Sequence, residues 1–289
     1  MPETTSSPAQ APAREEEAPG GSATKPAADA AQVRVLARGL SILRAFTPRN
    51  EWLSNQEIAA KTSLPRPTVS RLTTNLTGLG YLSYSTASRR YRLGTSVLAL
   101  GFGALANTDI RVLARPLLQQ LADQEDALVV LASPDAMAMV CNEVCHSSKS
   151  IFTLRVNVGS RLVLPYSAMG LAILGAMTSQ ERDEALRQIS HNFRKNWREL
   201  HKLIEAAVEQ FQRCGFCTSL GSLESGINGI GVAVDTSAAS HSFSIGLAGP
   251  SFRFPAERLE SDLGPKLIAI KNDLQKRLAD LTPNAGDQR

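Results

Sequence analysis

The sequence predicts two domains, a small mainly helical one carrying a β-hairpin and a larger α+β one. Three observations carry that prediction. The length of 289 residues suits two domains and few more. Helical and alternating apolar patterns occur in two separate runs, one ending near residue 94 and one continuing to about residue 281. The net positive charge is confined to the first run. Residues 32–92 hold ten basic residues against Glu51 and Glu57, a net of +8, while residues 1–31 carry −3 and the remainder −1. A short segment holding the whole positive excess is the footprint of a polyanion binder.

Residues 1–31 are rich in Ala, Pro, Ser, Thr, Gly and Glu and are expected to lack order, having too little apolar surface to offset chain entropy. Val35, Leu36, Leu40, Leu43 and Phe46 then recur at helical spacing up to Pro48. Ser54 and Glu57 form a capping-box pattern that opens a second short helix. Pro65 breaks it, and Pro67 suits the first turn of a third helix running to about Leu76, with Gly78 and Gly80 beyond. Two short helices joined by a tight turn make a helix-turn-helix. Tyr81–Tyr84 and Arg90–Leu93 are alternating runs around Ser85–Ser88, a hairpin with a basic tip, or wing.

From Thr95 to about Gln124 the helical period resumes, and Pro116 predicts two helices or a kink. Strand-like runs follow at 128–131, 137–140 and 151–154. Helical stretches are expected near 166–178, 180–190 and 197–213, strands near 216–220, 229–235 and 242–248, and a closing helix over 255–281. Strands and helices mixed in this way predict an α+β domain around an antiparallel sheet.

The residues at this point resemble the IclR-type transcriptional regulators. The resemblance covers Val33 to Leu281. It rests on Ala59–Leu72, Leu79–Leu82 and Tyr91–Gly94 in the first domain. In the second it rests on Val158–Leu162 with Ser167–Gly170, Arg213–Phe216, Glu224–Ile227 and Gly249-Pro250. The resemblance implies a winged helix-turn-helix over 32–94, a linker helix over 95–112 and a GAF-like effector domain over 113–282, with a flexible end at 283–289. It implies repressors or activators, usually of catabolic genes, that answer to small organic acids.

A recognition helix reads base edges through side chains near its N-terminus. Here those are Arg66, Thr68, Ser70 and Arg71, with Thr74 and Asn75 one turn on. Arg66 and Arg71 suit guanine contacts or phosphate clamps; Arg89 and Arg90 suit backbone or minor groove. Val69 and Leu72 are expected to face inward. Binding to double-stranded DNA at a palindromic operator calls for a homodimer, with a tetramer left open. Carrying the effector positions over by resemblance gives Leu154, Leu162, Ala168, Met169, Ser219, Gly229, Gly246 and Ala248. The family commonly has an acidic residue in place of Ser219, a cysteine in place of Gly229 and serines in place of Gly246 and Ala248. The pocket is therefore expected to be roomier and less polar, suited to an aromatic or hydrophobic acid.

No catalytic motif and no cofactor fingerprint is present, which argues against an enzyme. Cys214 and Cys217 have C-x-x-C spacing, and Cys141 and Cys145 precede His146. Ordinary buried thiols are the first reading, with zinc or redox sensing the alternative. No run is long and apolar enough for a membrane span, and Met-Pro-Glu-Thr opens no signal-like stretch, so the cytoplasm is the expected compartment. The rival to a ligand-responsive regulator is a ligand-independent architectural DNA binder.

Overall fold

The computed structural model describes residues 25–47, 50–106, 109–149, 154–236 and 239–281. The expected tail up to residue 24, residues 151–153 of the strand expected over 151–154 and the chain end at 283–289 lie outside these residues, and Leu154 itself is not in a strand. Contacts divide the chain into two compact units, one ending at Phe102 and one beginning at Gly103.

In the first unit α1 spans Lys25–Arg44, α2 Asn55–Thr62 and α3 Arg66–Gly78. Residues 25–31, expected to lack order, are helical: Ala27, Ala28, Ala30 and Ala31 have the highest intrinsic helix propensity. The capping box forms as the sequence predicts. Ser54 Oγ accepts from the Glu57 N–H at 3.3 Å, and Glu57 Oε2 accepts from the Ser54 N–H at 2.8 Å. That bond holds the Glu57 carboxyl below its usual range, so this part of the cap's stability is present near neutral pH and lost on acidification. β1 (Leu82–Ser85) and β2 (Arg90–Leu93) pair antiparallel, with Tyr84 opposite Tyr91. Ile42, Phe46, Leu53, Ile58, Val69, Leu72, Leu82 and Tyr91 make the core. Only the end of the first apolar stripe joins it: Val35 and Leu36 are 44% and 65% exposed in the single chain.

α4 spans Thr95–Ala106 and α5 Asp109–Glu125. The predicted interruption at Pro116 is not where one helix ends, because Pro116 lies inside α5. The bond it cannot make would go to the carbonyl of Val112, which lies on the exposed side where water can take it.

The second unit is built on a six-stranded antiparallel sheet in the order β5-β4-β3-β8-β7-β6. The strands are β3 (Leu128–Asp135), β4 (Ala138–His146), β5 (Arg161–Val163), β6 (Cys217–Leu220), β7 (Ile227–Thr236) and β8 (Ala239–Pro250). The short edge strand β5 has no counterpart in the sequence reading. One face is covered by α5 and by α10 (Gly264–Leu281), which meet Val129, Leu131, Ile230, Val232, Ile245 and Leu247. A short helix α9 (Ala256–Arg258) and a π-turn over Leu259–Leu263 lead into α10, so the single closing helix of the prediction is three pieces. The other face carries α6 (Ala168–Ala176) and α8 (Trp197–Cys214), with α7 (Ser179–Asn192) outside them.

Along the middle of β7 and β8 the residues that alternate away from α10 are small: Gly229, Gly231 and Ala233, then Ser244, Gly246 and Ala248. That smallness lets α6 sit directly on the sheet, with Ala168 through Gly175 all buried. A Cβ on Gly231 would lie 2.7 Å from the Ala168 carbonyl and the Met169 nitrogen. Gly231→Ala is therefore expected to lift α6 and cost about 1–3 kcal/mol. A lowered urea midpoint of the purified protein checks this, and an unchanged midpoint counts against the close seat.

Candidate functional site

In the first unit, α3 has one inward and one outward side. Val69 and Leu72 are buried as expected, and Thr73 is wholly buried beside them. Arg66, Ser70, Arg71, Thr74 and Asn75 are exposed, with Thr68 half-buried between. Thr73, which sequence reasoning missed, lies with its hydroxyl 3.1 Å from Asn55 Oδ1 and 3.0 Å from the Ser70 carbonyl, fastening α3 against α2. A lone threonine in a helix gives no signal for such a role. Thr74 donates to the Ser70 carbonyl at 2.9 Å.

The wing separates its two arginines. Arg89 is exposed at the tip, in the left-handed region with φ 53°. Arg90 faces back into the unit: Nη1 donates to the Trp52 carbonyl at 2.9 Å and Nη2 lies 3.3 Å from Glu57 Oε1. Arg92 stacks over the Trp52 ring at 5.1 Å. Leu53 and Tyr91 exchange backbone bonds at 2.9 and 2.8 Å, anchoring the base of the hairpin. Arg90→Ala is expected to destabilise this unit by at most about 1 kcal/mol, with Arg89→Ala neutral. Thermal melts of the two variants test the difference.

In the second unit, a chamber of about 440 Å3, partly open to solvent, lies between the start of α6 and the sheet. Seven of the eight expected effector positions line it: Leu162, Ala168, Met169, Ser219, Gly229, Gly246 and Ala248. Leu154 does not; it lines the adjoining cavity. Leu128, Val130, Ser167, Leu223 and Ile227 also line the chamber and were not read from the sequence. The lining is apolar except for Ser167 and Ser219. Ser167 caps α6, accepting from the Gly170 N–H at 3.1 Å, and donates to the Leu164 carbonyl at 3.2 Å. Ser219 donates to the Tyr166 carbonyl at 2.8 Å. The N–H groups of Ala168 and Met169 stand at the open end of α6, ahead of its internal ladder.

The expectation of a roomier pocket is corrected at one position. A Cβ on Gly246 would fall 2.5 Å from Met169 Cγ and 2.9 Å from its Sδ, so Met169 occupies the space that the missing side chain leaves. Among the described residues no ionisable side chain lines the chamber.

The cysteines do not converge. β4 carries a bulge opposite Leu131 and Ala132, at Asn142, which reverses the alternation along the strand. Cys141 and Cys217 lie in the core under α6, on β4 and β6 with three strands between them, and Cys145 lies in the core under α5. Among the described residues no group of three or more His, Cys, Asp or Glu could hold a metal ion. Burial pushes the Cys141 and Cys217 thiols up to about 12 and Cys145 to about 11. Only Cys214 is half-buried. Ellman's reagent at pH 8 is expected to titrate Cys214 in the native protein and all four thiols in guanidinium; prompt native reaction of a second thiol would contradict the packing.

Comparison with known proteins is consistent along the chain. Residues 35–86 match the family model for the IclR helix-turn-helix domain, and residues 102–275 that for the bacterial transcriptional regulator IclR C-terminal domain. The HTH-type transcriptional regulator TsaQ1/TsaQ2 of Comamonas testosteroni is 31% identical over 252 residues, 87% of this chain and 90% of its own. The Pca regulon regulatory protein of Pseudomonas putida is 27% identical over 245 residues, 84% of this chain and 83% of its own. A crystal structure of an IclR family transcriptional regulator from Brucella abortus shares 39% identity, covering 86% of this chain and 92% of that one, with TM-score 0.77. An IclR homolog from Microbacterium hydrocarbonoxydans, solved in complex with 4-hydroxybenzoate, is similar in fold alone. It is 18% identical, covers 85% of this chain and 99% of that one, and has TM-score 0.64.

Proposed function

Because the chain belongs to the IclR family of bacterial transcriptional regulators, we propose that it binds a palindromic operator in double-stranded DNA and answers to an aromatic or hydrophobic acid. The observation that carries the DNA half is the exposed polar and basic face of α3 over buried Val69, Leu72 and Thr73. That face fits a major groove, with Arg66 and Arg71 on guanines or phosphates and Thr68, Ser70, Thr74 and Asn75 along base edges. Arg89 at the wing tip reaches phosphate or minor groove, while Arg90 serves by holding the wing in place. A homodimer supplies the two-fold pair of recognition helices, with a tetramer of such pairs a further arrangement. Exposed Leu36 on α1 and Leu98, Leu100 and Phe102 on α4 are the apolar surface that a second copy would cover.

The ligand half is supported by the apolar chamber under α6, whose few polar groups are Ser167, Ser219 and the helix N-terminus. One solved relative of the same fold carries 4-hydroxybenzoate, a ligand of the proposed class. A regulator of catabolic genes in the cytoplasm, with no catalytic role and no cofactor, is the setting that fits. The ligand acts by binding one arrangement of the dimer better than another.

Fluorescence anisotropy against the chain's own upstream intergenic DNA, beside a shuffled duplex and across a salt series, tests this. The native duplex is expected to bind about a thousandfold tighter. Arg71→Ala is expected to lose about 1–3 kcal/mol of that preference if it reads a base, or to lower the salt slope if it clamps a phosphate. Aromatic acids are expected to shift the titration. Equal binding of both duplexes there and at neighbouring promoters would overturn the regulator in favour of an architectural binder. Response to glyoxylate or pyruvate with none to aromatic acids would overturn the ligand class.

A further inference from the structure

The chamber under α6 borders a second cavity of about 620 Å3, also open to solvent, at the ends of β3, β4 and β8, and the two share Leu128, Ile227 and Ala248 in their linings. Leu154, the one expected effector residue missing from the first chamber, lines this second one.

The two compartments differ in chemistry. Among the described residues no ionisable side chain lines the first. The second is lined by Arg253, Asp126 and His146. Arg253 Nη1 lies 2.5 Å from Asp126 Oδ2, and the Arg253 side chain keeps 34% of its surface open. A guanidinium carries five N–H donors in a planar fork, and that bond uses one of them. His146 Nε2 lies 3.0 Å from the Val156 carbonyl, and the Ser147 hydroxyl accepts from the Lys149 N–H at 3.2 Å, so both are engaged with backbone. A carboxylate drawn into an apolar chamber is strongly disfavoured unless a charged or hydrogen-bonding partner meets it. Among the charged groups on either wall, Arg253 is the one that is always cationic.

We propose that the two compartments form one bipartite site for an elongated acid. Its ring-sized apolar body lies under α6, its chain passes Leu128, Ile227 and Ala248, and its carboxylate meets Arg253. This rests on the ligand-sensing reading above and narrows the ligand to an ω-arylalkanoate. Asp126 holds the guanidinium in place and competes with the ligand for it. The two members of the ion pair therefore act on binding with opposite sign, which a purely structural pair would not do.

Calorimetric titration of the full chain with 4-phenylbutanoate, 4-phenylbutanamide and benzoate tests this. The butanoate is expected to bind about tenfold or more tighter than benzoate, the worth of one charge-assisted contact. Arg253→Gln is expected to remove that advantage and leave the amide within about twofold, while Asp126→Asn keeps or tightens butanoate binding. Melting curves establish that both variants fold; if the glutamine variant does not, Arg253→Lys replaces it with a smaller expected loss. Equal binding of benzoate and the butanoate, indifference of the butanoate to the change at Arg253, or parallel losses in both variants would overturn the proposal. So would failure of all three probes to bind. The sensing reading itself falls only if the DNA complex is also indifferent to aromatic acids.

Discussion

The first peptide of α6 rests on a position of the sheet with no room for a side chain, and the second unit is arranged around that contact. Gly231 admits the Ala168 carbonyl and the Met169 nitrogen at a separation that even a methyl would close. Packed interiors transmit such a constraint, because neighbours cannot yield by more than fractions of an ångström. With α6 fixed at one end, its N-terminus opens onto the chamber, its buried flank receives α8, and Ser167 is held between the Leu164 carbonyl and the Gly170 amide. The chamber is thus a by-product of close seating: small residues on β7 and β8 bring the helix down at Gly231 and leave a hollow beside it.

The opposite face is held by different means. Glu143 on β4 is 3% exposed and is met by Arg111, at 2.8 Å, and by Arg115, both on α5. Glu125, near the end of α5, is met by Arg258 at 2.7 Å and Lys266 at 2.8 Å. A buried carboxylate is tolerated only when paired and hydrogen-bonded, and each of these has two cationic partners. The directionality of the Glu143 pairs fixes α5 in register along β4, where apolar contacts alone would allow sliding, and the Glu125 pairs tie the end of α5 to α9 and α10.

Much of this was legible in the sequence because it is periodic or local. The capping box at Ser54 and Glu57, the break at Pro65 and the two halves of the wing are short-range patterns, and each stands where the residues place it. The strands at 128, 217, 227 and 239 follow from apolar runs between turns. What was hidden depends on contacts remote in sequence. Arg90 and Arg89 look alike in the chain, yet only the former finds Glu57 and the Trp52 carbonyl. The bulge at Asn142 leaves no mark in the alternation Cys141, Glu143, Cys145, all of them buried, but to different faces. Leu154 belongs to the second compartment because the loop before β5 passes there, which spacing does not encode.

Met169 and Gly246 share a single volume, one from the helix and one from the sheet. The sum of their sizes is constrained more tightly than either alone. Among descendants of a common ancestor, a side chain acquired at 246 would be accompanied by a smaller residue at 169. Drift through such paired exchanges would change the shape of the hollow while leaving its capacity nearly constant, so that diversification of recognised compounds could proceed without passing through a collapsed or overfilled intermediate.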